Sequence, residues 1–484
     1  MNIVDPIHRH ALAKPDRPAV ITSRGTLSWA GLDRMLWSAA KMLHDRGLRA
    51  GDRVGLKMID PVPQLIVFLA LARIGVAHVV MPFAGDDKAR RSLQERLAIA
   101  MILCDSEAVH STIPGSMLID RLVMNDVDRP DQLRLRVDAG DLPWLVIQSS
   151  GTTGAPKFAE LTHARSFQQL DNFAAVLPCS GDDIFWPASR LDFLMAKRQT
   201  LFCLQQGAAV YLPASNLISE QLVRELSEKR ITLACGTPSH LYQLIGVGQP
   251  LPALRAFDAR SATIGEELRR EFKSRISRGL YVIYGTSEAG VLTCAAPDDQ
   301  SAMPNTVGAA VGSVELEIVD ERGALLAPGL TGEVRVKSPA IIESYLDDPE
   351  ATGRSFKGGW FYPGDLGYLT NDGALVLQGR RDDMMIFDGM NIFPAEIENA
   401  LRSHHAVREA AAFAVNHWRF QDVPVAAVTL RGRVSEQELV EHCGRILGFR
   451  NPLRIWIIKD FPRNPMGKIL KRELVRHLVQ SGKK

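Results

Sequence analysis

Several features that would mark a specialised class of protein are missing from this sequence. Its six cysteines stand at 104, 179, 203, 235, 294 and 443, too scattered for a CxxC redox pair or a zinc knuckle. They predict reduced, buried thiols in a cytoplasmic protein, with no catalytic cysteine among them. Neither sign of charge dominates, since 57 Lys plus Arg face 55 Asp plus Glu. That balance removes any bulk electrostatic argument for nucleic acid or an anionic membrane. No apolar run is long enough to span a bilayer: the longest, Leu65 to Val80, is cut by Arg73 and Gly75. The opening stretch MNIVDPIHRHALAKPDRPAV has no uninterrupted apolar core of a secretory signal, so the expected location is the cytoplasm. Internal repeats and low-complexity tracts are also lacking.

What is present is an ordinary globular composition over 484 residues, 46% hydrophobic and 23% charged. That length exceeds what one hydrophobic core organises, so at least two domains are expected. Through the first 300 residues, short apolar runs such as Arg53–Met58, Ala77–Met81, Trp144–Gln148, Ile231–Gly236 and Leu280–Tyr284 read as strands. They alternate with segments of helical periodicity, among them Ser28–Arg46, Pro63–Ile74, Thr162–Val176 and Gly265–Ser277. The alternation predicts an α/β fold with mainly parallel sheets. From about Gly312 the texture turns to Val/Glu-rich strands (Val314–Val319, Gly332–Lys337), which fit a small antiparallel sheet or β-barrel. The last hundred residues read as a compact α+β unit, joined near Gln378–Asp383. The expected division is 1–380 and 381–484.

Five segments carry chemistry. Ser149-Ser150-Gly151-Thr152-Thr153-Gly154-Ala155-Pro156-Lys157 follows a predicted strand, and its small residues let backbone N–H groups approach phosphate oxygens while Lys157 adds a charge. It is not a P-loop of the G-x-x-x-x-G-K-[ST] type, because Pro156 sits where the second glycine belongs. Tyr284-Gly285-Thr286-Ser287-Glu288, right after a strand, offers a carboxylate suited to Mg²⁺ and an aromatic wall for a base. Trp360 to Gly367 places Asp365 in a turn, where a carboxylate suits the hydroxyls of a ribose. Gly379-Arg380-Arg381-Asp382-Asp383 leads on to Gly389 and Asn391-Ile392-Phe393-Pro394-Ala395-Glu396. Finally, Asn464-Pro465-Met466-Gly467-Lys468 presents one lysine on a tight turn.

In this order, SSGTTGAPK, YGTSE, GEVRVKSP, YPGDLG, GRRDD, GMNIFPAEIE and NPMGK resemble the adenylate-forming superfamily of acyl- and aryl-CoA synthetases, nonribosomal-peptide adenylation domains and luciferases. The match runs from about Arg17 to Lys471 and is most like an acyl-CoA ligase. The resemblance implies ATP, Mg²⁺ and CoA as cofactors, and a large AMP-binding domain followed by a small mobile one. It implies that Ser149, Ser150, Gly151, Thr152, Thr153, Gly154 and Lys157 close over the phosphates, and that Thr152 and Glu288 serve Mg²⁺. Ser287 would contact the α-phosphate or the acyl carboxylate, and Tyr284 and Gly285 would border adenine. Asp365 and Arg380 would hold the ribose, and Lys468 would bridge carboxylate and α-phosphate. Asp382 would be the pivot of the small domain, and Gly389 would line the pantetheine tunnel.

The match frays on the acid side. Arg260-Ser261-Ala262-Thr263 stands where relatives carry a Gly-Gly-Ala-Pro-like segment, and Arg260 is expected either to pair with an anionic or polar group of the acid or to face solvent. Asp192 is a weak candidate for binding an amine. Besides free CoA, the phosphopantetheine of a separate carrier protein is the alternative acceptor. A luciferase-like oxidation and a degenerate, non-enzymatic scaffold are the remoter readings. The second predicts loss of Lys157, Glu288 or Lys468, and all three are present.

Overall fold

The computed structural model describes residues 1–81, 87–113, 115–119, 137–149, 156–262, 264–299, 306–387, 390–417, 421–463 and 469–480. Its first sheet has six strands, in the order Met117–Leu118, Ile99–Cys104, Arg53–Lys57, Ala77–Val80, β1 (Pro143–Ser149) and β2 (Lys157–Thr162). Neighbours are parallel except the β1–β2 pair, which is antiparallel with Ser149 opposite Lys157. Thr162 caps the following helix α1 (His163–Ala174) through its side-chain oxygen.

A second sheet of nine strands carries the centre of the molecule. From Pro18–Ile21 it runs through Ala209–Tyr211, β3 (Ile184–Pro187), β4 (Leu233–Gly236), β5 (Ala256–Ala259) and β6 (Leu280–Thr286), all parallel neighbours. The turn after β6 leads into β7 (Gly290–Ala295), which runs antiparallel to it. The strands are short and almost wholly buried, as expected for a sheet covered on both faces. One face packs on the largest core, which it shares with the first sheet and with the helix Pro61–Arg73. That helix is apolar nearly all round and is accordingly buried on almost every side. The helix α2 (Leu194–Gln205), between β3 and Ala209–Tyr211, is also buried nearly throughout, although its sequence LMAKRQTLFCLQ carries two cations. The other face is covered by the helices Glu220–Glu228, Pro238–Val247 and Glu266–Arg275.

The Val/Glu-rich segments form a third, antiparallel sheet that includes Glu315–Val319, Gly332–Lys337, β8 (Asp365–Leu369) and β9 (Leu375–Arg380). A short 3₁₀ turn of exposed residues, Arg381–Asp383, follows β9. Beyond it, the strands Met385–Phe387, Met390–Ile392, Val407–His417, Gln421–Leu430 and Arg454–Ile457 make a fourth sheet. Its two faces carry separate apolar clusters, one against Pro394–Arg402 and Glu436–Leu447, the other against Lys471–Val475. The helix Glu436–Leu447 opens with the reciprocal Ser435–Glu438 capping box. Two contacts tie this last unit to the second sheet's helices: Arg431 to Glu267 at 2.6 Å and Arg463 to Ser239 at 3.3 Å.

Candidate active site

In a parallel sheet, ligands gather at the carboxyl ends of the strands. Here β4, β5 and β6 end side by side, and the 286–290 turn leaves that edge. Gly285, next to last in β6, is a glycine for a steric reason: any Cβ there would run into the backbone carbonyl of Gly290, where the β6–β7 register shifts. Tyr284, one residue earlier, aims its hydroxyl at Asp365 and donates a 2.5 Å hydrogen bond to Oδ2. Asp365 opens β8 opposite Arg380 of β9, and Arg380 Nη1 donates to its Oδ1 at 3.3 Å and to the Pro363 carbonyl at 2.7 Å. Gly364 makes this approach possible. Its φ of +80° lies in the left-handed region, and a Cβ there would sit 3.1 Å from the Arg380 guanidinium.

The electrostatics of this trio are internally consistent. Burial, then the Asp365 carboxylate, pushes the Tyr284 hydroxyl well above its usual value, so it remains a donor. Burial opposes the charge of Arg380, but Asp365, Tyr284, Asp382 and Asp383 outweigh it and raise its pKa. Two donors therefore hold Asp365 in one orientation before any ligand arrives.

Three residues beyond Gly285, Glu288 is 5% exposed and accepts a 2.9 Å hydrogen bond from the Tyr345 hydroxyl. Its backbone carbonyl accepts from Ile342 N at 3.1 Å and from Gln169 Nε2 at 3.4 Å. The Lys157 ammonium stands 4.8 Å above the Tyr345 ring, so Tyr345 links Lys157 to the Glu288 carboxylate. A single hard carboxylate of this kind fits Mg²⁺, which takes one or two protein carboxylates and completes its shell with phosphate oxygens and water.

Of the residues expected from sequence, the structure thus brings together Lys157, Tyr284, Gly285, Ser287, Glu288, Asp365 and Arg380. Ser149 lies across from Lys157 at the base of the hairpin, and Asp382 sits exposed in the 3₁₀ turn after Arg380. Ser150, Gly151, Thr152, Thr153, Gly154, Gly389 and Lys468 lie outside the described residues.

Three contributors fall outside every motif. Tyr345 follows GEVRVKSP by several residues, and Gln169 lies on α1. Arg198, on α2, donates to the carbonyls of Thr286 at 3.4 Å and Ser287 at 2.6 Å. Arg260 does not face solvent. It turns inward, grips the fully buried Asp258 through both Nε and Nη2, and lies 4.8 Å over the Phe173 ring. Asp192 is engaged as well, accepting from Gln64 at 2.5 Å and Arg190 at 2.8 Å.

Comparison with known proteins bears directly on this edge. The family model of AMP-binding enzymes matches residues 7–346, and that of the AMP-binding enzyme C-terminal domain matches 396–468. An oxalate–CoA ligase of Arabidopsis thaliana is 28% identical, with 96% of each chain covered. An indoleacetate–CoA ligase of Aromatoleum aromaticum is 28% identical over 99% of this chain and 98% of its own. Among solved structures, ATP-bound MatB from Rhodopseudomonas palustris superposes with a TM-score of 0.88 at 24% identity, over 100% of both chains. The O-succinylbenzoate CoA synthetase of Bacillus subtilis with AMP gives 0.86 at 24%, over 97% of both. The last two likenesses establish the fold, and the family match over more than half the chain establishes the kinship: this protein belongs to the AMP-binding, adenylate-forming enzymes.

Proposed function

We propose that the protein is an AMP-forming acid–thiol ligase, which converts a carboxylic acid and ATP to acyl-AMP and pyrophosphate and then transfers the acyl group to CoA. The observation that carries this reading is the pre-paired Tyr284–Asp365–Arg380 trio, with Glu288 and Lys157 at the other end of the same strand edge. An acid carboxylate attacks the α-phosphorus of ATP while the bond to pyrophosphate breaks. Such a transfer needs alignment and charge neutralisation, with no covalent protein nucleophile. Asp365 accepts from the ribose hydroxyls, Arg380 pairs with it, and Tyr284 walls the base. Lys157 and the 150–154 stretch take the departing phosphates, and Glu288 would hold a Mg²⁺, which would supply charge neutralisation to the phosphate oxygens. Ser287 meets the reacting carboxylate, and Lys468 bridges it to the α-phosphate.

In the second half-reaction a thiolate attacks the acyl carbon and AMP leaves. For this step the 381–484 unit swings about Asp382, withdrawing Lys468 and bringing the Gly389 segment to the pantetheine path. A cavity of about 720 Å³ between the large and small units, bordered by Arg190, Phe193, His240, Arg408 and Arg463, supports an approach for the acceptor from this side. CoA is favoured over a carrier protein because the similar curated proteins, including the oxalate and indoleacetate enzymes, are CoA ligases. The cytoplasm, where ATP and CoA are supplied, is the location that suits it.

The test is incubation with ATP, Mg²⁺ and a panel of acids, with and without CoA, and mass spectrometry of the products. A CoA thioester with AMP release is expected. Acyl-AMP that never passes to CoA would move the acceptor to a carrier protein. Absence of AMP with every acid would overturn the ligase reading.

A further inference from the structure

The acid side of the strand edge holds more positive charge than it neutralises. Two arginines reach it, Arg198 from α2 and Arg260 from the end of β5, and they are close enough to repel each other. Asp258 serves Arg260 with both oxygens. Arg198 is 6% exposed and has no ion pair among the described residues. Its two Nη atoms go to the backbone carbonyls of Thr286 and Ser287, and its Nε has no partner. The nearest carboxylate that eases its charge, Glu288, already accepts from Tyr345 and is reserved for the metal end. Burial brings the Arg198 pKa down to about 9, with repulsion from Arg260 adding to the effect, yet the side chain stays cationic at neutral pH.

A buried guanidinium without a counter-anion is costly, and proteins keep one where a ligand brings the missing charge. Arg198 touches the very turn from which Ser287 meets the reacting carboxylate. An anion seated on Arg198 is therefore only a few carbons away from the reacting end of the acid. Arg260, on the same side, is drawn inward onto Asp258 and the Phe173 ring. We propose that the acid activated by this enzyme is a short dicarboxylate, its second carboxylate bound by Arg198. This rests on the ligase reading above and narrows its substrate.

The experiment compares AMP formation with matched pairs, malonate against propionate and succinate against butyrate, alongside aromatic monocarboxylates. It uses the full chain and its Arg198→Met and Arg198→Lys variants. The wild type is expected to favour a dicarboxylate over its monocarboxylate partner by ~100-fold in kcat/KM, the scale set by loss of a buried charge-assisted hydrogen bond. In R198M that ratio is expected to collapse by ~100-fold, and in R198K to be partly restored. Thermal stabilisation of the wild type by malonate or succinate gives a second readout that needs no variant to fold. A monocarboxylate used as well as its dicarboxylate partner, or R198M lowering both classes equally, would overturn the proposal and leave the ligase reading standing. If no acid of either class drives AMP formation, the ligase reading itself falls and takes the proposal with it.

Discussion

The proposed nucleotide end and the proposed acid end of this strand edge are built on opposite plans. At the nucleotide end, each charged group has a partner from another element: Asp365 has Tyr284 and Arg380, and Glu288 has Tyr345. At the acid end, Arg198 donates to backbone carbonyls and has no ion pair among the described residues, and Arg260 is already paired with Asp258. A preformed, satisfied site suits a ligand every cycle shares, such as ATP. An unsatisfied one assigns part of its completion to the substrate, and specificity follows from what is left unpaired.

The largest expected effect tests the nucleotide plan at its outer edge. Lys468→Ala should lower acyl-AMP formation by at least ~10³, more than loss of a single charge-stabilising donor, because Lys468 positions both reactants. Thioester formation from supplied acyl-AMP should change by less than about tenfold. Equal loss in both half-reactions would remove Lys468 from its bridging role. Next comes Asp365→Ala, with an expected loss of ~10²–10³ in kcat/KM for ATP. Tyr284→Phe removes one donor to that carboxylate while Arg380 stays, and should cost about tenfold. If Y284F were as damaging as D365A, the tyrosine would be acting on ATP directly instead of holding the carboxylate.

These two ends also differ in how far the sequence discloses them. Strands such as Arg53–Lys57 and Leu280–Thr286 follow from short apolar runs, and the turns after them from glycines with a steric task, as at Gly285. The residues proposed to meet the nucleotide lie on or beside those turns, where the motifs can be read. The acid end is assembled by packing. Lys197 and Arg198 sit in a helix buried nearly all round, and in sequence an adjacent Lys-Arg pair reads as solvated surface. The β2 strand escaped as well, because Lys157–Thr162 is held by its antiparallel pairing with β1, not by its own apolar pattern. Tyr345 belongs to no motif and is found only through its contact with Glu288.

Lys197 sharpens the comparison with a smaller effect on stability. Its Nζ lies 2.7 Å from His78 Nε2, and His78 Nδ1 donates to the Trp144 carbonyl, so the imidazole presents an acceptor. Burial lowers the Lys197 pKa to about 7, against 10.5 in the open chain. Between those values the unfolded chain binds the extra proton, so stability rises with pH through that window, and the full penalty is felt below about 7. From pH 7 to pH 9 this single group should add on the order of 2 kcal/mol. Urea titrations at both values should show Lys197→Met losing that slope. An unchanged slope in K197M would mean that the amine stays charged in the folded protein.

The smallest effect concerns the segment where this chain departs from its relatives' glycines. Ser261 has φ +77°, a left-handed conformation that costs a side-chain-bearing residue roughly 1–2 kcal/mol. Ser261→Gly relieves that strain but gives the unfolded chain about 0.5–1 kcal/mol of extra freedom. The net change should therefore stay within about 1 kcal/mol, stabilising if anything. Ser261→Val should destabilise, since a β-branched side chain tolerates positive φ least. The informative readout is KM for ATP in the same two variants. An unchanged value in S261G would mean that the serine is an exposed relic on a backbone still shaped for glycine, and that Arg260 alone carries the chemistry of the substitution. A fall in KM would mean that the hydroxyl intrudes on the nucleotide, so that the two ends of the site are less independent than their opposite plans suggest.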